Sequence, residues 1–307
     1  YFERNEANPL EEDLIIVDEA SMLDISLFYH LLCALKDGAR LILVGDIDQL
    51  PPVGAGEPLK DLMNWGYVPI VRLKRIFRQE EGSGIVENAA LIRKGEMCVP
   101  DEAGEFRIIY AADDEDAYRI VMDLCRELNY GNEENKMLLQ VLSPMYRGVC
   151  GVDHLNKSLQ EMIHGEKVPD GMKFFPGDKV MQTRNDYEKG IYNGDVGTVW
   201  TATPQKVFVR YFDKEVVYEG EERFDLRLAY AVTVHKSQGS EYETVIFILR
   251  PSQHNMLQRN LLYTGVTRAR KNTILVTAPD ALRRALAIQH TGNRYSLFLP
   301  FLNHEAL

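Results

Sequence analysis

Asp18 and Glu19 stand side by side directly after the apolar run Leu14-Ile15-Ile16-Val17. Such a run reads as a fully buried parallel strand, and the carboxyl end of that kind of strand is where open α/β sheets place their chemistry. Adjacent carboxylates there suit nucleotide hydrolysis. The first, Asp18, holds Mg²⁺ through a water shell, and the second, Glu19, orients the attacking water. A strand end followed by a helix-capping acid is the other reading of the same residues. A second apolar run, Arg40-Leu41-Ile42-Leu43-Val44, leads through Gly45-Asp46 into Asp48-Gln49-Leu50-Pro51-Pro52-Val53-Gly54-Ala55-Gly56. Its prolines and glycines make a stiff turn. With the two runs as neighbouring parallel strands, Asp18, Glu19 and Gln49 share one sheet edge, where an amide bonds both a γ-phosphate and the attacking water.

The elements that must position these groups follow from capping and periodicity. Asp24 is placed to cap an amphipathic helix reaching Leu35, with Gly38 as its stop, so the order is strand, helix, parallel strand. From Val71 a second α/β region begins, with a helix over 86–93, a strand over 106–109, an acid-capped helix over 113–129 and a strand over 138–142. Over 171–227 the period turns from helical to alternating, with short runs such as Val207-Phe208-Val209-Arg210-Tyr211-Phe212, which predicts a small β-barrel. Asn185, Tyr187, Tyr192 and Asn193 give that insertion loop amides and aromatics suited to stacking on bases. The stretch from Ala229 reads as a helix ended by Gly239, followed by a strand over 245–249.

Taken in order, these blocks resemble superfamily 1 helicases of the RecD/TraA branch. Asp18-Glu19-Ala20-Ser21-Met22 is similar to motif II, Gly45 through Gly56 to motif III, and Leu73-Lys74-Arg75-Ile76-Phe77-Arg78-Gln79 to motif IV. Val141 through Gly148 with Gly151 through Asn156, then Gly177 through Gln182 and Tyr192 through Gly197, resemble the branch's next segments. Ala229 through Glu241 is similar to motif V, and Leu262 through Arg270 to motif VI. The resemblance implies an α/β fold of P-loop NTPase (RecA-like) parallel sheets. One is partial (1–70) and one complete (71–170 with 228–307), interrupted by an SH3-like barrel over 171–227. It implies ATP and Mg²⁺, with Asp18, Glu19, Gln49, Arg78 and Arg268 as catalytic residues, both arginines being directed across an interdomain cleft to the γ-phosphate. Gln238, Gly239 and Glu241 fall on the nucleotide side. Ser143, Pro144, Met145, Tyr146, Asn193, Thr233, His235 and Lys236 fall on the DNA side. Lys74, Arg75, Arg270 and Lys271 are weaker candidates for the ATP site and read better as a solvated basic face. The implied activity is 5′ to 3′ translocation on single-stranded DNA with unwinding at duplex junctions.

One block is missing from the sequence. A Walker A loop, G-x-x-x-x-G-K-[ST], cradles phosphates with backbone N–H groups and a lysine. The nearest stretch, Gly148-Val149-Cys150-Gly151 before Asn156-Lys157-Ser158, lacks the glycine before lysine. The family carries that loop upstream of motif II. The expectation is therefore that Tyr1 is an internal cut, that the chain is the C-terminal part of a longer motor, and that it does not hydrolyse ATP by itself.

Composition bounds the reading. The 307 residues suffice for about two domains, with 45% hydrophobic content and no apolar run long enough for a membrane span. Cys33, Cys98, Cys125 and Cys150 are scattered without metal-ligand spacing, which predicts reduced thiols in the cytoplasm. A net charge of −11 argues against a broad basic DNA face and for a narrow groove. Nuclease or recombination subunits are possible partners by the resemblance. An ATP-gated DNA-binding switch, or a subunit of an exodeoxyribonuclease complex that separates no strands itself, is the alternative function. Nuclease chemistry by this chain is not expected, because Asp170 and Gly177-Asp178-Lys179 lack the Asp/Glu-x-Lys spacing of a two-metal core.

Overall fold

In the computed structural model the described residues are 2–73, 82–165, 172–289 and 298–303. The chain divides into two units, Tyr1–Phe77 with Gln289–Leu307, and Arg78–Ile288.

In the first unit β1 (Leu14–Val17) pairs in parallel with β2 (Arg40–Leu43), Leu14 opposite Arg40. Between them lies α1 (Ile25–Cys33), whose N-cap Asp24 accepts the Leu27 N–H at 2.8 Å, as its sequence position predicted. After the motif III turn comes α2 (Pro58–Trp65), started by a proline and ended by Gly66 in the left-handed conformation. A short C-terminal helix, Phe298–Leu302, sets Phe298 edge-on against Phe28 of α1, with ring centroids 5.8 Å apart. The expectation of a fully buried first strand is not met. Both strands alternate exposed and half-buried residues, and Ile16 is 60% exposed. Only one face of this two-stranded sheet is covered, so the continuous apolar run does not mark burial on both sides.

The second unit is built on a five-stranded parallel sheet. Its N-terminal elements are α3 (Gly84–Lys94), β3 (Phe106–Tyr110), α4 (Asp114–Glu127, capped by Asp113), α5 (Glu133–Leu138), β4 (Leu139–Ser143) and α6 (Val152–His164). An insertion follows, made of β5 (Lys179–Gln182), β6 (Val196–Ala202), β7 (Lys206–Arg210), β8 (Glu215–Glu219) and β9 (Leu226–Leu228). The parallel sheet resumes with β10 (Ala231–Thr233), β11 (Tyr242–Leu249), α7 (Arg259–Val266), β12 (Ala269–Thr277) and α8 (Pro279–Ala287). Its strand order is β10-β4-β11-β12-β3. Every residue of β4 is buried, as in a sheet covered on both faces. The insertion is an antiparallel sheet of order β8-β7-β6-β5-β9 with its own apolar core around Val180, Val199, Val209 and Leu226.

A buried polar joint ties the insertion to the parallel sheet. The Asp178 carboxylate accepts from Gln160 at 2.5 Å, from the Phe175 N–H at 2.7 Å and from the Tyr230 hydroxyl at 2.9 Å, and lies 2.8 Å from His164 Nε2. Beside it Lys179 donates to the Leu139 carbonyl at 3.1 Å and to Gln140 Oε1 at 2.9 Å.

Motif V is not a helix. Ala231–Thr233 form a strand paired with β4, Ala231 opposite Val141, and only Val234–Ser237 turn, as a single 3-10 turn. The β-branched Val232-Thr233-Val234 favour the pleated conformation once β4 offers an edge. Gly239 does take the left-handed conformation its position suggested, with φ +75°. Among the described residues no helix is long and apolar enough to cross a membrane.

Candidate nucleotide and nucleic-acid sites

In the first unit Asp18 and Glu19 leave the end of β1 together. Asp18 Oδ1 accepts the Glu19 N–H at 2.8 Å, and Glu19 sits in the left-handed region, φ 51° and ψ 36°, uncommon for a residue with a side chain. That turn is held to the residue that follows β2: the Ala20 N–H donates to the Val44 carbonyl at 2.7 Å. Gly45 permits the approach, because a Cβ there would lie 2.8 Å from the Ser21 nitrogen and 2.9 Å from Leu59 Cδ2. Motifs II and III are thus pressed into one loop pair at one sheet edge. In motif III the Gln49 N–H donates to the Asp46 carbonyl at 3.2 Å, while Gln49 Oε1 is buried with no partner within the described protein. A buried amide oxygen without a donor costs about 1–3 kcal/mol, so such an atom points to a ligand role. Ser21 Oγ, in motif II, is orphaned in the same way, and sequence reasoning passed over it.

In the second unit the motif V turn is held from both sides. Arg268, only 2% exposed, donates from Nε to the Thr264 carbonyl at 3.2 Å and from Nη1 to the Ser240 carbonyl at 3.1 Å. Glu241 is paired with Arg270 at 2.7 Å, and the Arg270 side chain is 59% exposed, so it lies on a solvated face as read while also reaching motif V. Gln238 and Gly239 lie in the same loop, the Gln238 N–H donating to the His235 carbonyl at 3.4 Å. Toward the insertion, Lys236 Nζ donates to Asn193 Oδ1 at 2.6 Å, which brings together two residues expected on the DNA side. Burial, then the nearby Arg227 guanidinium, hold the Lys236 pKa below the usual lysine value. His235 is half-buried on the turn.

Other expected DNA-side residues are internal. The Ser143 hydroxyl is fully buried and donates to the Cys150 carbonyl at 2.6 Å. Thr233 is buried opposite it, its hydroxyl accepting the Lys236 N–H at 3.3 Å. Pro144 is buried and Met145 half-buried, whereas Tyr146 is 42% exposed. Tyr146 and Lys236 line one open cleft with Arg147, Arg184, Phe224 and Arg227. Sequence reasoning missed those last four, since they come from segments that share no local pattern. Arg78, with Lys74, Arg75 and Asp170, lies outside the described residues.

Comparison with known proteins places this geometry in a family. The chain is 37% identical over 300 residues to the ATP-dependent RecD2 DNA helicase of Deinococcus radiodurans, covering 96% of the chain and 41% of that protein. It is 33% identical over 315 residues to the RecBCD enzyme subunit RecD of Mycolicibacterium smegmatis, covering 96% of the chain and 56% of that protein. This chain belongs to the RecD-like superfamily 1 helicases. It spans about half the length of these relatives. Family descriptions match along this RecD-like chain: an AAA domain over residues 4–108, an ATP-dependent RecD-like DNA helicase SH3 domain over 155–211, and a UvrD-like helicase C-terminal domain over 228–276. The expected SH3-like insertion and RecA-type parallel sheet are therefore both present. The fold is shared with the Pif1 helicase from Bacteroides solved in complex with ADP-AlF3 and ssDNA, at 20% identity, with 96% of this chain and 76% of that one covered and a TM-score of 0.59. It is shared also with Pif1 from Candida albicans, at 18% identity, 91% and 74% coverage and a TM-score of 0.53.

Proposed function

We propose that this chain is the C-terminal motor portion of an ATP-dependent DNA helicase that couples ATP hydrolysis to 5′ to 3′ translocation on single-stranded DNA and to duplex unwinding. The observation that carries the reading is the double attachment of the motif V turn, to motif VI through Arg268 and Ser240 and to the insertion through Lys236 and Asn193. One short element thereby joins the residues read as nucleotide-sensing to those read as DNA-gripping.

In this proposal Asp18 would hold Mg²⁺, Glu19 would orient the attacking water, and the orphaned Gln49 oxygen would accept a hydrogen bond from that water. The donor set fits. A cation that keeps most of its waters needs one or two carboxylates, and Asp18 and Glu19 stand side by side at the end of β1. Bound Mg²⁺ supplies charge neutralisation at the phosphates. Arg268 answers the γ-phosphate by exchanging its Ser240 bond for a phosphate oxygen, and Arg78 is proposed as its counterpart. Gln238, Gly239 and Glu241 stay on the nucleotide side, and Tyr146, Asn193, His235 and Lys236 on the DNA side. The sequence contains no Gly-Lys-Ser/Thr loop, and in this proposal the phosphate cradle is supplied by other residues of the same polypeptide. Nuclease or recombination subunits are proposed partners, as the RecBCD relatives suggest. The free cysteines, three of them buried, suit a reducing cytoplasm.

The test is two-part. This chain with saturating single-stranded DNA and Mg²⁺-ATP should release no phosphate above background, and a turnover within the ordinary range of about 1–10² per second would refute the missing-cradle reading. The longer polypeptide should displace a strand from a fork with a 5′ tail and not from one with a 3′ tail. Hydrolysis without displacement would make it a switch rather than a motor.

A further inference from the structure

Where the insertion rejoins the parallel sheet, an open cleft of about 980 Å³ collects balanced charge, with Arg147, Arg184, Arg227 and Lys236 as its cations and Asp153, Glu221, Glu222 and Asp225 as its anions. The pairing across it is loose. Arg227 Nη1 is 3.9 Å from Asp153 Oδ1, and Arg184 Nε is 3.6 Å from Asp225 Oδ1, with the two arginine side chains 59% and 80% exposed. Charge-assisted hydrogen bonds close to about 2.7–2.9 Å. On the same insertion Lys206 reaches Glu219 at 2.6 Å and Arg210 reaches Glu215 at 2.8 Å, so tight pairs form where nothing competes. Arg227 also lies over the Tyr146 ring, 5.8 Å from its centroid. Its positive field adds to burial in lowering the pKa of both Lys236 and Lys173, so like charges converge around it. Convergent cations beside an exposed aromatic face are what a single strand needs: phosphates for the cations, a base for the ring.

We propose that Arg227 and Arg184 grip phosphates of single-stranded DNA, and that Asp153 and Asp225 are built-in competitors which the phosphates displace and which recapture the guanidiniums on release. This rests on the DNA-motor reading and adds to it the residues that make the grip reversible. Recapture by a neighbouring carboxylate lets an acidic chain hold a polyanion and still let go.

The test uses this chain, a fluorescein-labelled oligothymidylate, and anisotropy titrations over a series of potassium chloride concentrations. Asp153→Asn and Asp225→Asn should each tighten binding about two- to fivefold, the range expected for releasing an exposed ion pair. Arg227→Ala should weaken binding and reduce the slope of log affinity against log salt by about 0.7, one single-strand phosphate. Arg227→Lys, which keeps the charge, should retain the slope. Asparagine variants that bind no tighter than the parent chain, or an Arg227→Ala variant that loses affinity at unchanged slope, overturn the competitor mechanism while leaving the motor reading intact. Absence of any binding by the unaltered chain overturns both.

Discussion

Replacing Lys179 by methionine should flatten the pH dependence of stability of the second unit. Lys179 is fully buried, donating to the Leu139 carbonyl and Gln140 Oε1, with the rings of Tyr130 and Tyr242 at 5.7 and 5.4 Å. Burial, followed by repulsion from Lys136, pushes its pKa from 10.5 down to about 7. Between those values the unfolded chain carries a proton on this amine that the folded chain does not. Unfolding therefore takes up a proton, and stability rises with pH across the window at ~1.4 kcal/mol per unit. The contribution is most favourable above 10.5, is lost as pH falls, and bottoms out below about 7, where the amine is charged in both states. Methionine removes the slope. It also strands two acceptors, at a cost of about 1–3 kcal/mol each that does not vary with pH, so the offset between the proteins decides nothing and the slope decides everything. Urea denaturation followed by Trp200 fluorescence in a Trp65→Phe background reads the second unit, since these are the chain's two tryptophans. Between about pH 7.5 and about 9.5 the stability difference should change by ~2–3 kcal/mol. Parallel curves for the two proteins would show that Lys179 is no more perturbed folded than unfolded, and the account of the joint would fail.

Further outcomes follow from the sites. In the longer polypeptide Glu19→Gln should keep nucleotide affinity while slowing hydrolysis by ~10² or more, as loss of a general base does; affinity falling as far as in Asp18→Ala would reverse the two roles. Arg268→Lys should cut DNA-stimulated hydrolysis while sparing single-strand binding, and His235→Ala should mainly weaken binding, both read by anisotropy and phosphate release at one salt concentration. The opposite pattern would mean the two ligands were assigned the wrong way round. Gly45→Ala should destabilise the first unit by about 1–3 kcal/mol in thermal melts, because its Cβ would press on the Ser21 nitrogen at 2.8 Å; an unchanged melting temperature would show that the motif II loop yields.

What could be read in advance was what depends on neighbours in sequence. Asp24 caps a helix because its carboxylate reaches an N–H three residues on, and Gly239 turns left-handed because a loop must follow at once. Motif V failed as a helix because its conformation is decided by β4, ninety residues earlier in the chain by the Ala231 to Val141 pairing. The same non-local pairing buries Ser143 against Thr233, a placement that neither residue's local sequence announces. Ile16 erred in the other direction, since an apolar letter says nothing about whether a covering layer is present. Arg227 was invisible because its meaning lies in Tyr146 and Asp153, brought to it only by the fold.

On the proposed assignment, the stiffness of the motif V turn is what would couple the nucleotide side to the DNA side. Thr233 caps the turn through the Lys236 N–H, the Ser237 hydroxyl donates to the Val234 carbonyl at 2.8 Å, and the Ser240 N–H donates to the Ser237 carbonyl at 3.0 Å. Each successive bond removes slack between Lys236 and Ser240. The two ends differ in electrostatic commitment. Lys236 is bonded to a neutral amide, which leaves its charge to act on a phosphate, while Glu241 is neutralised by Arg270. On the proposed assignment, a change in what Arg268 binds would move Ser240 without disturbing a charged partner of Lys236, and a braced turn would pass that displacement to the lysine rather than absorb it. Coupling of this kind needs a connected element that both sites bias, and here it is one turn long.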